Sequence, residues 1–358
     1  MGEVEITVER AIAPGYYLER ELEARAMTQK ELALRTSISQ GHISKFESGQ
    51  LQVPDEQLEK IGLALDYPTQ FFFQPDRLYG LGISSVYFRK RKTLPVFEQK
   101  RIQAQINILT LQLAHLLRGV DVKSDNEFFP LDIADFNDDA VAIAQLVRAK
   151  WNLPLGPVKD LIGVIESAGG VIVRRDFLSR KFDAQSRWLN GLPPMFFVNH
   201  DVPMDRLRFT LAHEIGHIVM HRVPTENLES EADSFASEFL MPRDEILPDL
   251  SPFSLQRAAM LKPKWRVSIA ALIVRAHDLG VITHSQYRRC FTQLSAAGHR
   301  TCEPVTISDE RPSLIDQLLG VYQRDHGYSL AEMCQMLSIS EQEFQTQYLS
   351  MPPLRLRS

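Results

Sequence analysis

Between residues 16 and 73 apolar positions recur every three or four residues in short blocks, and turn signals separate the blocks. That pattern predicts a cluster of short helices. LERELEARA supplies the first. TQKELALRT opens on Thr28 with Glu31 three residues later, a capping-box pattern. ISQGHISKFESG gives a third helix, capped by Ser39 and stopped by Gly49, and VPDEQLEKIGLAL a fourth. Leu32, Ile38, Ile43 and Phe46 are expected to share a small core. Further on, QKRIQAQINILTLQLAHLLRG reads as a long amphipathic helix ending near Gly119.

From residue 140 the rhythm changes. Helices AVAIAQLVRAKWN and VKDLIGVIESAGG precede three short apolar runs, VIVRR, SRWL and MFFVN, which predict a small sheet. RFTLAHEIGHIVMH (208–221) then starts a helix, and ESEADSFASEFLMP (229–242) another. In the second, Ala232, Phe235, Ala236, Phe239 and Leu240 trace one buried stripe. A helical tail runs from Arg311 to Leu349. The chain is therefore expected to be α+β. An all-α domain covers 1–80, a basic linker and long helix 81–137, a helix-and-sheet domain 138–290, and a C-terminal helical cluster 291–358.

Composition narrows the classes without choosing one. A net charge of −5 over 358 residues gives no global basic signal, so any nucleic-acid contact must come from a local patch. Arg89, Lys90, Arg91 and Lys92 form one such run, read as a solvated linker face. Three scattered cysteines, Cys290, Cys302 and Cys334, match neither a disulfide framework nor a metal-ligand spacing, which points to a reducing cytoplasm. No leader or membrane span is expected.

The chemistry concentrates at residues 213–233. Side chains four apart share one helix face, so His213 and His217 can direct ring nitrogens at one ion. Glu214 is rotated about 100° from His213 and suits a general base. His221 lies about 12 Å along the axis from His213, too far for one straight helix to bring both to a single ion. The third ligand must come from the next helix. There Glu229 flanks the buried stripe and faces inward, while Glu231 points further out, so Glu229 is preferred and Glu231 is the runner-up. Asp233 can accept the free N–H of a ligand histidine.

These residues resemble the ImmA/IrrE family of zinc metallopeptidases, over about 140–287. FDAQSRWLNGLPPMFFVN and LKPKWRVSIAALIVRAHDLGVIT, on either side of the histidine helix, are similar as well. The resemblance implies a zincin-like domain with zinc on His213, His217 and Glu229, Glu214 as catalytic base, and a repressor-like protein substrate cut under stress. MFFVN is the candidate strand to pair with extended substrate, and a plain core strand is an equal alternative. Arg206 and Arg208 are candidate oxyanion donors, although arginines in such a place more often serve as surface ion-pair partners.

MTQKELALRTSISQGHISKFESGQLQVPDEQLEKIGLAL resembles an Xre/lambda-repressor-type helix-turn-helix, over about 18–73. The resemblance implies a double-stranded DNA operator read by a helix in the major groove. Gln40 would pair with adenine, His42, Ser44 and Lys45 would reach bases or phosphates, Gln29 a phosphate, and Gly41 would admit the DNA backbone. One such motif per chain predicts a homodimer on two half-sites. GYSLAEMCQMLSISEQEFQTQYL echoes the motif, but Glu341 and Glu343 on its reading helix would repel phosphate, so this tail is read as structural or as a partner-binding cluster. Two functions fit: a DNA-binding regulator with a fused zinc peptidase, or a transcription factor whose zincin-like domain senses or dimerises without cutting.

Overall fold

The computed structural model describes residues 14–73, 94–120, 124–221, 226–300 and 303–349, so the basic run at 89–92 lies outside the described residues. Two compact units result. One draws on both ends of the chain, through 14–73, 94–120 and 315–349; the other holds 124–314.

In the first unit, helices α1 (Pro14–Ala24), α2 (Gln29–Thr36), α3 (Gln40–Glu47) and α4 (Asp55–Leu65) enclose a core that includes the fully buried Leu32, Ile43 and Ile61. Thr28 and Glu31 close a reciprocal capping box, and Ser37 takes a left-handed φ of 60° that turns the chain into α3. Ser39 caps α3 by accepting the N–H of His42. Each cap satisfies a backbone donor that a short helix would otherwise leave unpaired. The long helix α5 (Val96–Arg118) packs on α1. Its end at Gly119 is tied to the C-terminal helices: the Tyr322 hydroxyl donates to the carbonyl of Leu116 at 3.0 Å. A Cβ on Gly119 would sit 2.6 Å from that hydroxyl, so a side chain there would push Tyr322 off this bond.

The second unit sets helices against a three-stranded sheet. Helices α6 (Ala140–Lys150) and α7 (Leu161–Ser167) lead to β1 (Val171–Arg175), β2 (Ala184–Arg187) and β3 (Met195–Asn199). The strand order is β1-β3-β2, with β1 parallel and β2 antiparallel to β3. The middle strand was expected over SRWL. It begins two residues earlier instead, because Ala184 and Gln185 already pair with Val198 and Phe197, and it ends at Arg187. Helix α8 (Met204–Met220) follows the sheet, then α9 (Leu228–Leu240), α10 (Arg243–Leu250), α11 (Leu255–Trp265), α12 (Ile269–Asp278) and α13 (His284–Ala296).

The core lies between the sheet, α8 and α9. All five residues of the predicted stripe on α9 are fully buried. Burying Phe235 and Phe239 alone is worth roughly 3–6 kcal/mol. The end of α9 is fixed by guanidinium groups: Arg148 donates to the carbonyl of Phe239 at 2.7 Å and Arg275 to that of Met241 at 3.0 Å. Cations there complement the helix dipole. Gly216 sets the spacing of α8 and α9, since a Cβ would meet the Phe235 ring at 3.2 Å.

Candidate functional site

Helix α8 carries His213, Glu214 and His217, all buried, on the face it turns to β2 and α9. Its outer face is anchored: Lys262 pairs with Asp205, and the fully buried Arg208 pairs with Glu310 and donates to the carbonyl of Arg266. The histidine face is thereby held in one rotation.

The Nε2 atoms of His213 and His217 are 2.9 Å apart. Glu229, from the first turn of α9, places its two carboxylate oxygens 3.6 Å and 3.7 Å from them. Ligand atoms of these three residues all lie within 4.8 Å of one another.

The outer ring nitrogens are spoken for. Asp233 sits 2.8 Å from Nδ1 of His213. His217 Nδ1 meets Nδ1 of His221 at 3.0 Å, and Nε2 of His221 meets Glu231 at 2.9 Å. These partners assign the tautomers. Glu231 takes the Nε2 proton of His221, His221 takes the Nδ1 proton of His217, and Asp233 takes the Nδ1 proton of His213. Both Nε2 atoms are then lone-pair acceptors facing each other and a carboxylate. Such a pocket demands a cation. Burial opposes a charge on His213, but hydrogen bonds to Asp233 and Glu229 prevail and raise its pKa to about 9. A proton fills that demand in part; two imidazoles and a carboxylate suit a zinc ion better.

Glu214 lies to the side of this group. One of its oxygens accepts both the backbone N–H of Ser186, at 2.9 Å, and the Ser186 hydroxyl, at 2.6 Å. No carboxylate of α9 pairs with it, and its fixed position beside the histidines suits a proton carrier.

In the first unit, Gln40, Gly41, His42, Ser44 and Lys45 are all exposed on α3, while Ile43 and Phe46 hold it from behind. Gln40 donates to Gln29 at 3.4 Å, joining the starts of α3 and α2, and Gln29 donates in turn to Glu47. A Cβ on Gly41 would meet nothing, so no packing within the chain requires glycine there.

Comparison with known families matches residues 165–277 to the IrrE N-terminal-like domain of the M78 peptidases and residues 18–72 to the helix-turn-helix family. The chain carries a helix-turn-helix domain followed by an IrrE N-terminal-like domain. The second is a domain of metallopeptidase type. A search of curated proteins found no match to the chain.

Within the IrrE-like domain the structure corrects several expectations. MFFVN is β3, paired on both sides, so it has no edge to offer a substrate. Arg206 is engaged by Asp183 at 2.9 Å, and Arg208 is buried among its own partners; neither is free to serve an oxyanion. The two glutamates of α9 also differ from the stripe geometry. The Glu229 side chain is 55% exposed and Glu231 only 11%, because His221, just past the end of α8, covers Glu231. Glu229 reaches the histidines from an exposed position rather than from the core.

Two contributions escaped the sequence. His221 is visible as the fourth residue after His217, and its role behind His217 follows only once Glu231 is placed. Ser186 carries no sequence signal at all; a serine in a short strand gains meaning only from the carboxylate that β2 brings it beside.

Proposed function

We propose that this chain is a DNA-binding transcriptional regulator whose IrrE-like domain is an active zinc endopeptidase that cleaves a repressor-like protein in a stress response. The observation that carries the reading is the joint presence of a cation-demanding His213, His217 and Glu229 group and a separately held carboxylate, Glu214. A domain that merely bound metal would need the first and not the second.

Zinc, when bound there, supplies a Lewis acid that polarises the scissile carbonyl and acidifies water. The chain's own residues do the rest. Asp233 and the His221–Glu231 pair hold the two imidazoles in the tautomers that leave Nε2 unprotonated. Ser186 fixes one oxygen of Glu214. The carboxylate takes a proton from the attacking water and returns it to the leaving amine. Gln40, with His42, Ser44 and Lys45 around it, reads bases or phosphates in a major groove, Gln29 touches a phosphate, and Gly41 admits the DNA backbone. Two chains on two half-sites complete the assembly. The two described cysteines, Cys290 and Cys334, are both free thiols, which agrees with a reducing cytoplasm. Among the described residues no helix is long and apolar enough to cross a membrane.

The test is to incubate the zinc-loaded full chain, with DNA selected from randomised duplexes, against the proteins encoded beside its gene, and to look for fragments by mass spectrometry. Cleavage is expected, and Glu214→Gln is expected to slow it by at least about 100-fold while zinc and DNA binding persist. If neither protein cuts, and the Gln variant regulates as the parent does in cells, the non-proteolytic sensor is the correct reading.

A further inference from the structure

The C-terminal helices belong to the same compact unit as the helix-turn-helix domain, although the whole IrrE-like unit separates them in sequence. Helices α14 (Leu314–Arg324), α15 (Leu330–Leu337) and α16 (Glu341–Phe344) are followed by a π-helical turn, Gln345–Leu349. The acids at 341 and 343 argue against this segment as a DNA reader and leave it a structural or partner-binding role. Its backbone supplies one.

At a constant offset, with residue 28 set against 329, the segment repeats the N-terminal motif through its first helix, its turn and the start of its second helix. Thr28 and Glu31 form a reciprocal capping box on α2; Ser329 and Glu332 form one on α15. The sequence Ser-Ile-Ser makes both turns. Its first serine is left-handed in each, with φ of 60° at Ser37 and 53° at Ser338. Its isoleucine is buried in each. Its second serine caps the next helix by accepting the N–H three residues on, from His42 and from Glu343. Two core positions agree as well: Leu32 and Ile43 correspond to Met333 and Phe344, all fully buried, while the buried Phe46 has the half-buried Gln347 at its place. A left-handed serine costs about 1 kcal/mol or more, so its recurrence at the same step of the same turn argues for one design used twice.

What differs is the outward chemistry. Glu341 stands where α3 has Gln40, Glu343 where it has His42, and Thr346 where it has Lys45. The side chain at the His42 position turns inward. Glu343 accepts the Tyr67 hydroxyl at 3.0 Å and lies 3.5 Å from the Arg25 guanidinium, and the Ser340 hydroxyl donates to Asp66 at 3.0 Å. Arg25 follows α1, and Asp66 and Tyr67 follow α4, the two helices packed behind α3 and α2. We propose that residues 329–348 are a second copy of the helix-turn-helix motif, whose reading helix binds the back of the first copy in place of DNA. The first copy faces outward with its polar residues exposed; the second braces it through Glu343 and Ser340.

The test uses the full chain and two sets of variants. Glu343→Lys reverses the charge facing Arg25, and Glu343→Gln removes it with the least disturbance. Amide exchange in α1 and α4 is expected to speed up by at least about tenfold in the Lys variant and by less in the Gln variant, with the zinc content of the other unit unchanged. The second set, Glu341→Ala, Gln345→Ala and Thr346→Ala, alters the exposed side of the second reading helix. DNA affinity is expected to stay within about twofold, where loss of a base-reading contact would cost about fivefold or more. Exchange that ignores both Glu343 substitutions would overturn the brace. A fivefold loss of DNA affinity in the second set would overturn the proposal from the other side, by making the second copy a DNA reader.

Discussion

Ser186 donates twice to one carboxylate oxygen of Glu214, from its backbone N–H and from its hydroxyl. The strand thus orients the proposed general base. A hydrogen bond to a charged group is worth about 1.5–3 kcal/mol, so the hydroxyl holds the carboxylate firmly without being indispensable. Ser186→Ala keeps the backbone donor. Cleavage is expected to fall by roughly tenfold, an order of magnitude short of the loss from Glu214→Gln, with metal content unchanged. A rate equal to the parent's would show that the backbone bond alone orients Glu214.

Metal retention grades the residues around the histidines. Glu229→Ala removes a proposed ligand and is expected to leave the purified protein short of zinc, read by elemental analysis. Asp233→Ala and His221→Ala each remove a partner of an outer ring nitrogen, and a loss of about 10–100-fold in zinc affinity is expected in competition with a chelator. Full affinity in the His221 variant would mean that the His217 tautomer needs no help.

Glu21 gives the first unit a pH dependence. It is buried, and burial pushes its carboxyl up from an ordinary 4.5 to about 8; Arg25 opposes the rise and Glu343 adds to it. The groups facing it are Arg25, Tyr67 and Glu343. Between about pH 4.5 and 8 the folded state keeps a proton that the unfolded state has released, so stability falls as pH rises through that window and levels off above it. Glu21→Gln keeps a neutral side chain throughout. Calorimetry from pH 5 to 8 is expected to show a falling Tm for the parent's first unit and a flatter profile for the variant. Parallel profiles would place the titration elsewhere.

Gln40→Ala is expected to weaken DNA binding by about 1–3 kcal/mol and to relax preference at one base position. Binding to a panel of single-base operator variants reads both effects. A uniform loss across the panel would assign Gln40 to phosphate instead.

The sequence made the helices legible wherever one residue type has one physical use. The capping box at Thr28, the stop after Arg118 and the buried stripe of α9 all follow from local chemistry. The pair His213 and His217 was legible for the same reason, since helical spacing alone sets their common face. What stayed hidden depends on pairing across the fold. Periodicity marked MFFVN as a strand, but a strand's place in a sheet is decided by its neighbours, and β3 lies at the centre. Angles around an isolated helix placed Glu231 outward because they ignore whatever lies across from it, and His221 lies there. Arg208 looked like any surface arginine until Glu310, far along the chain, arrived to bury it.

The unit that carries the helix-turn-helix domain opens early in the chain and is completed only by residues 315–349. Synthesis runs from the N-terminus at about 5–20 residues per second, so the IrrE-like unit emerges from the ribosome before the last helices of the DNA-reading unit exist. A ribosome that stalls inside the IrrE-like unit therefore releases a reading motif without its C-terminal helices. A unit completed by residues 315–349 therefore implies that the IrrE-like unit between its two parts was made as well.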